Sequence, residues 1–217
     1  MEATEAPPEE ATVAAPPPSP LTLAVAGPSA SGKTTLAREL CRLLQHVGCS
    51  VSLLHQDEYF TLPKAASYWT ITPAHDTPAA IDMERLRSDV LAAQEAARAT
   101  ASSAAAAAPD DAGDGAAAPH VVIVEGFLLL QDAALMRCVD ASLFLRATRE
   151  ACLHRRLARS ERTERESEGC RKYFEDVVWP SYLRYTAPAL EALLGSSVDA
   201  RVLSGEESAP GFGYVAL

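Results

Sequence analysis

Gly27-Pro28-Ser29-Ala30-Ser31-Gly32-Lys33-Thr34-Thr35 reads G-x-x-x-x-G-K-T-T, with an apolar run from Leu21 to Ala26 before it and a helical pattern after it. This is the spacing of a phosphate-binding loop set between a strand and a helix. The two glycines let the backbone wrap a phosphate closely, and the N–H groups that open the next helix point at the anion with the helix dipole behind them. Lys33 is placed to reach the outer phosphates and the Thr34 hydroxyl to ligate Mg²⁺. A Gly/Ser-rich turn that opens a helix is the plainer alternative, and the flanking strand and helix weigh against it.

Outward from the loop, the pattern continues as alternating elements. Leu36, Leu40, Leu43 and Leu44 recur at helical spacing from Lys33 to about Val47, and Gly48 follows as a stop. Val51 to His55 reads as a second strand buried on both faces, so strand, helix and strand form a right-handed crossover in a parallel sheet. Residues 61 to 77 read as an irregular loop holding Tyr68 and Trp69. A helix is expected from about Pro78 to near Arg98, then strands at His120 to Val124, Asp140 to Leu145 and Val198 to Leu203. A charged helix is expected from Glu150 to about Glu166, and a further one through Tyr173, Phe174 and Val178 that meets Pro180 and resumes to Leu193. The expected fold is a three-layer α/β P-loop NTPase of the nucleoside monophosphate kinase type. Its five-stranded parallel sheet would carry helices on both faces and ligands at the carboxyl ends of the strands.

Composition sets the boundaries. The 217 residues carry a net charge of -10 and 48% hydrophobic content, enough for one domain with a sizeable core. Residues 1 to 20 hold four Glu, six Pro and no basic residue, which makes them a disordered Ala/Pro/Glu tail. Residues 99 to 119, rich in Ala, Asp and Gly, read as a surface insertion; their alanines could extend the preceding helix, but Pro109, Gly113 and Gly115 favour the insertion. The domain that carries the phosphate loop is taken as 21 to 205, and 206 to 217 as a C-terminal tail. Once both acidic stretches are set aside the remainder is only mildly acidic, a poor match for nucleic acid or membrane surfaces. Five cysteines without C-x-x-C spacing suggest neither disulfides nor zinc. The N-terminus shows no signal or transit character and no apolar run is long enough to span a bilayer. The reading is a cytoplasmic monomer, with the nucleus as the alternative compartment.

Polar residues gather where ligands are expected. Gln56-Asp57-Glu58-Tyr59-Phe60 follows the second strand, and a carboxylate there can accept the proton of a hydroxyl that attacks a γ-phosphate. The alternative is an acid that caps a turn. Glu125 ends the β-branched strand, where an acid can hold Mg²⁺ through water, or cap the next turn. In the stretch His154 to Arg162, helical spacing puts Arg155, Arg159 and Arg162 on one face. Clustered guanidiniums suit a lid over phosphates, and a solvated helix with Glu161–Arg165 and Arg162–Glu166 pairs is the bland alternative. His55 and His75 have no metal-ligand spacing.

These residues together resemble the nicotinamide riboside kinases, close relatives of the uridine-cytidine kinases. The resemblance runs from about Leu21 to Leu194 and rests on Gly27 to Thr35, Gln56 to Phe60, His75-Asp76, Glu125-Gly126-Phe127-Leu128-Leu129, Tyr173-Phe174 and Val178-Trp179-Pro180-Ser181-Tyr182-Leu183. It implies that Asp57 is the base, that Asp76 grips the ribose hydroxyls, that Thr34 and Glu125 serve Mg²⁺, and that Arg155, Arg156 and Arg159 form the lid. Gly27, Ser29, Ala30, Ser31, Gly32, Lys33, Thr34 and Thr35 would bind the nucleotide, ATP or alternatively GTP. Asp57, Tyr59, Phe60, His75, Asp76 and Glu161 would bind the nucleoside. In the human-type kinases two aromatic residues sandwich the nicotinamide ring; here those places hold His75 and Glu161, and a carboxylate at 161 could face a cationic pyridinium. The implied activity is phosphorylation of the 5'-hydroxyl of nicotinamide riboside. The alternatives are a uridine or cytidine kinase, and a nucleotide-binding regulator without transfer activity; the chain has no Asn-Lys-x-Asp motif of a GTPase switch.

Overall fold

The computed structural model describes residues 19–62, 72–107, 119–196, 201–203 and 212–216. Residues 1–18 of the expected tail, Tyr68, Trp69 and residues 108–118 of the expected insertion lie outside them. Four parallel strands form the centre: β1 (Leu21–Ala26), β2 (Ser50–His55), β3 (His120–Gly126) and β4 (Ala141–Ala147), in the order β2-β3-β1-β4. The expected fifth strand is present as β5 (Arg201–Leu203), but it is not a parallel neighbour of β4. β6 (Phe212–Ala216), in the stretch read as a tail, pairs antiparallel with β4, and β5 pairs antiparallel with β6. Among the described residues the sheet therefore has six strands. The sequence Phe-Gly-Tyr-Val-Ala is aromatic and β-branched enough to have carried that signal.

Helices cover both faces. Side chains alternate along a strand, so Val25 and Ile123 face α1 (Lys33–His46), where Leu36, Leu40 and Leu44 pack on them. Ala24 and Val124 face the other way, toward Leu86 and Val90 of α2 (Met83–Ala107), all four fully buried. α2 runs beyond the expected Arg98 to Ala107, because the alanines that open the acidic stretch have the highest helix propensity of any residue.

Beyond β3 lie α3 (Ala133–Met136), then α4 (Arg149–Leu157) and α5 (Glu164–Tyr173). The single charged helix expected from Glu150 to Glu166 is thus two helices. α4 ends at Leu157, where the Arg162 guanidinium donates to the carbonyls of Arg156 (3.1 Å) and Leu157 (2.8 Å) and satisfies two of the orphan acceptors of its last turn. α5 restarts in a capping box: the Thr163 hydroxyl accepts from the Glu166 N–H, and the Glu166 carboxylate accepts from the Thr163 N–H at 2.9 Å. Arg155, Arg159 and Arg162 consequently do not share one helix face. From α5 the chain stays helical to Ser196 through α6 (Trp179–Ser181) and α7 (Ala187–Ser196), with five-residue π-helical segments, Phe174–Val178 and Tyr182–Thr186, on either side of Pro180. The widened turns accommodate a proline that cannot donate to the helical ladder.

Candidate active site

The phosphate loop takes its shape from three residues with positive φ. Gly27 lies at φ +144°, and a Cβ built there would stand 2.6 Å from the backbone oxygen of Leu145, so no other residue fits. Gly32 lies at +106°, at the entrance to α1. Ala30 lies at φ 67°, a left-handed conformation that costs a non-glycine residue about 1–3 kcal/mol. Ala30 is held there by packing against Cys152, Tyr173 and Phe174. Turning the chain at these points closes the loop, with Ser31 N–H donating to Pro28 O at 3.1 Å.

Lys33 Nζ donates to the same Pro28 carbonyl at 2.9 Å and is 8% exposed. Burial lowers its pKa to about 8, against the opposing pull of Glu125 and Asp57. The Thr34 hydroxyl donates to Glu125 Oε1 at 3.0 Å, and His55 Nδ1 lies 2.8 Å from that same oxygen. His55 and Glu125 are register partners on β2 and β3, which is why two residues 70 apart in sequence meet. Sequence reasoning weighed His55 only as a metal ligand and missed this contact.

Asp57 is carried on a short 3₁₀ turn, Gln56–Tyr59, at the carboxyl end of β2. Gln56 anchors that turn: it is fully buried and accepts from Leu128 N–H at 2.9 Å. A Cβ at Gly126 would stand 2.5 Å from Gln56 Oε1, so the glycine of Glu-Gly-Phe makes room for this anchor. Asp57 opens to solvent, yet desolvation by the surrounding walls, then the Glu125 charge, raises its pKa, with Lys33 and Arg159 opposing. Asp76 is buried; its carboxylate accepts from the Tyr173 hydroxyl and its backbone carbonyl from the Ser181 hydroxyl. Burial pushes its pKa up to about 6 despite the nearby Arg156 and His75.

A cleft of about 390 Å³ brings most of these groups together. Its walls include Ser29, Ala30, Lys33, Thr34, Asp57, Phe60, His75, Asp76, Glu125, Arg156 and Arg159, together with Phe127 and Tyr173, which sequence reasoning had quoted without assigning them a role. Phe60 and Phe127 are stacked, ring centroids 6.2 Å apart. Arg155 donates to Ser31 O at 3.0 Å behind the loop, and Arg156 to the Ser29 hydroxyl at 2.9 Å. Gly27, Ser31 and Gly32 shape the loop rather than line the cleft, and Thr35 is exposed.

Two expected nucleoside contacts lie elsewhere. Tyr59 points into the core beneath α2, where its hydroxyl donates to Asp89 Oδ2 at 2.7 Å and Arg85 covers its ring. Burial and that bond push its pKa up to about 12. Glu161 is exposed in the break between α4 and α5 and is not part of the cleft wall. The resemblance implied a place for it beside the substrate ring, but here it lies in the break that Arg162 and the Thr163 capping box make.

Among the described residues no group of three or more His, Cys, Asp or Glu is arranged to hold a metal alone. Mg²⁺ bound with a nucleotide does not require one, since it takes one or two protein oxygens beside phosphate and water. The paired oxygens of Thr34 and Glu125 at the cleft wall fit such an ion. No helix among the described residues is long and apolar enough to cross a membrane.

The uridine kinase of Tolumonas auensis is 29% identical over 176 residues, covering 77% of this chain and 81% of that protein. Human nicotinamide riboside kinase 1 is 31% identical over 165 residues, covering 75% of each. A fructose transport system kinase candidate from Silicibacter sp. shares the fold, with a TM-score of 0.53 at 21% identity over 81% of this chain and 86% of that one. The family model described as Phosphoribulokinase / Uridine kinase family matches residues 22–193, and this chain belongs to that family.

Proposed function

We propose that the protein transfers the γ-phosphoryl group of ATP to the 5'-hydroxyl of nicotinamide riboside, giving the mononucleotide, ADP and a proton. The observation that carries this reading is a single cleft in which the phosphate loop and Lys33 meet two further carboxylates, Asp57 and Asp76. Lys33 neutralises charge on the outer phosphates. Asp57 accepts the proton of the attacking hydroxyl, and its raised pKa makes it a stronger base than an ordinary carboxylate. Asp76 accepts hydrogen bonds from the ribose diol, and Phe60 and Phe127 present flat apolar surface to the heterocycle. Thr34 and Glu125 would hold Mg²⁺, which would supply positive charge to offset that of the phosphates. Arg156 and Arg159 line the phosphate side and can follow the transferring group.

The choice of nicotinamide riboside rests on the Val178-Trp179-Pro180 and Glu125-Gly126-Phe127 elements and on the likeness to the human relative. A uridine or cytidine kinase is the second reading, favoured by relatives named uridine kinase at similar identity. Initial rates with ATP and each nucleoside separate the two. The expected ranking in kcat/KM places nicotinamide riboside above uridine and cytidine, and a higher value for uridine would replace the first reading by the second.

A further inference from the structure

Asp76 and Ser29 stand on opposite functional halves of the cleft, one expected to meet the nucleoside and the other on the phosphate loop, and two side chains in contact, Tyr173 and Arg156, connect them. The Tyr173 hydroxyl donates to Asp76 Oδ2, while the Arg156 guanidinium lies 5.2 Å over the face of the same ring. Arg156 then donates through Nη1 to the Ser29 hydroxyl at 2.9 Å. Its Nε is buried without a hydrogen-bond partner. The arginine is therefore held by one neutral hydrogen bond, an aromatic face and the nearby charge of Asp76, with a donor still to satisfy, an arrangement that a phosphate oxygen can improve. Tyr173 is itself 8% exposed and packed among Ala30, Cys152, Phe174 and Val178, so its ring cannot shift without moving the wall of the phosphate loop.

We infer that Tyr173 is a positioning residue that couples the two substrate sites: a nucleoside that engages Asp76 sets the Tyr173 ring, and through it the Arg156 guanidinium, for the triphosphate. The inference rests on the proposed reading of the cleft as a nucleoside site beside a triphosphate site. A ribose diol brings hydroxyl donors to a carboxylate that now takes one from Tyr173, so binding there must rearrange or tighten the tyrosine contact. That contact is the route to Arg156, and a buried ring under a guanidinium transmits the change with little slack. The coupling is reciprocal by thermodynamic necessity, so the triphosphate must tighten the nucleoside by the same factor.

The test measures binding by calorimetry without turnover, using the Mg²⁺ complex of the non-hydrolysable analogue adenylyl imidodiphosphate. The partner is whichever of nicotinamide riboside, uridine and cytidine the protein phosphorylates fastest, so a wrong choice of base and a failed coupling read as separate results. In the wild type the nucleoside should tighten the analogue by about fivefold or more. Tyr173→Phe keeps the ring under Arg156 but drops the bond to Asp76; analogue affinity alone should stay within about twofold while the coupling falls below about twofold. Arg156→Lys approaches from the other end, keeping charge but losing the planar stack, and should also abolish coupling. Independent binding in the wild type, or wild-type coupling in either folded variant, would overturn the inference. A merely structural role for Tyr173 would lower melting temperature and both affinities together and leave the ratio intact.

Discussion

Replacing Lys33 by methionine should separate what the phosphate loop does for chemistry from what it does for stability. The ammonium is held at 2.9 Å from Pro28 O with little water around it, and its pKa falls from 10.5 to about 8. At pH 7 that drop corresponds to about 3 kcal/mol by which the unliganded fold disfavours the charge. Methionine has similar length and no branch, so it fills the same channel without the charge. The loss is one hydrogen bond from a charged group, about 1.5–3 kcal/mol, and Pro28 O keeps the Ser31 N–H at 3.1 Å as a donor. The balance leaves the unliganded variant between unchanged and about 1.5 kcal/mol more stable, a rise of at most a few degrees in Tm for a domain of this size. Turnover should fall by at least about 10²–10³, because the cation nearest the transferring phosphate is gone. Thermal denaturation and initial rates on one preparation read both quantities. A variant destabilised by more than about 1 kcal/mol would refute the burial argument, and a stable variant with near-normal turnover would refute the role of Lys33.

Asp57→Asn should lower kcat by about 10²–10⁴ while nucleotide affinity, measured by titration, stays near wild type. Gly27→Ala drives a Cβ to 2.6 Å from a backbone oxygen at a φ alanine resists, and should destabilise by more than about 2 kcal/mol in a denaturant titration. In the free enzyme kcat/KM for ATP should fall as pH rises through about 8, where Lys33 loses its proton. The sign for stability is the opposite: between about 8 and 10.5 the unfolded chain holds a proton that the folded one lacks, so unliganded stability should rise across that window, an increase that Lys33→Met abolishes.

The parts of the fold legible in the sequence are those set by local pattern. β1, the loop and α1 occupy one continuous stretch whose glycines, lysine and apolar spacing all point the same way, and β1 begins and ends at the expected residues. The break between α4 and α5 was hidden because Arg and Glu continue through it at helical spacing; the signal that could have shown it is Thr163 three residues before Glu166. Glu161, which the resemblance implied beside the substrate, lies in that break and off the cleft wall. Tyr59 was misplaced for a related reason. It sits in a motif beside Asp57, but a 3₁₀ turn sends neighbouring side chains in different directions, one to the cleft and one to the core. The contacts that hold the site, His55 with Glu125 and Tyr173 with Asp76, join residues 70 and 97 apart and depend on strand register and on the path of a π-interrupted helix. Neither property has a local sequence pattern.

The measurement closest to the central claim is a single-turnover reaction with γ-labelled ATP, Mg²⁺ and nicotinamide riboside, with enzyme in excess and products separated by charge. Label should leave ATP and appear in nicotinamide mononucleotide in equal amount, with none transferred by Asp57→Asn on the same timescale. Label recovered only as inorganic phosphate, or not released at all, would contradict the account and leave a nucleotide-binding protein that does not use the acceptor half of its cleft.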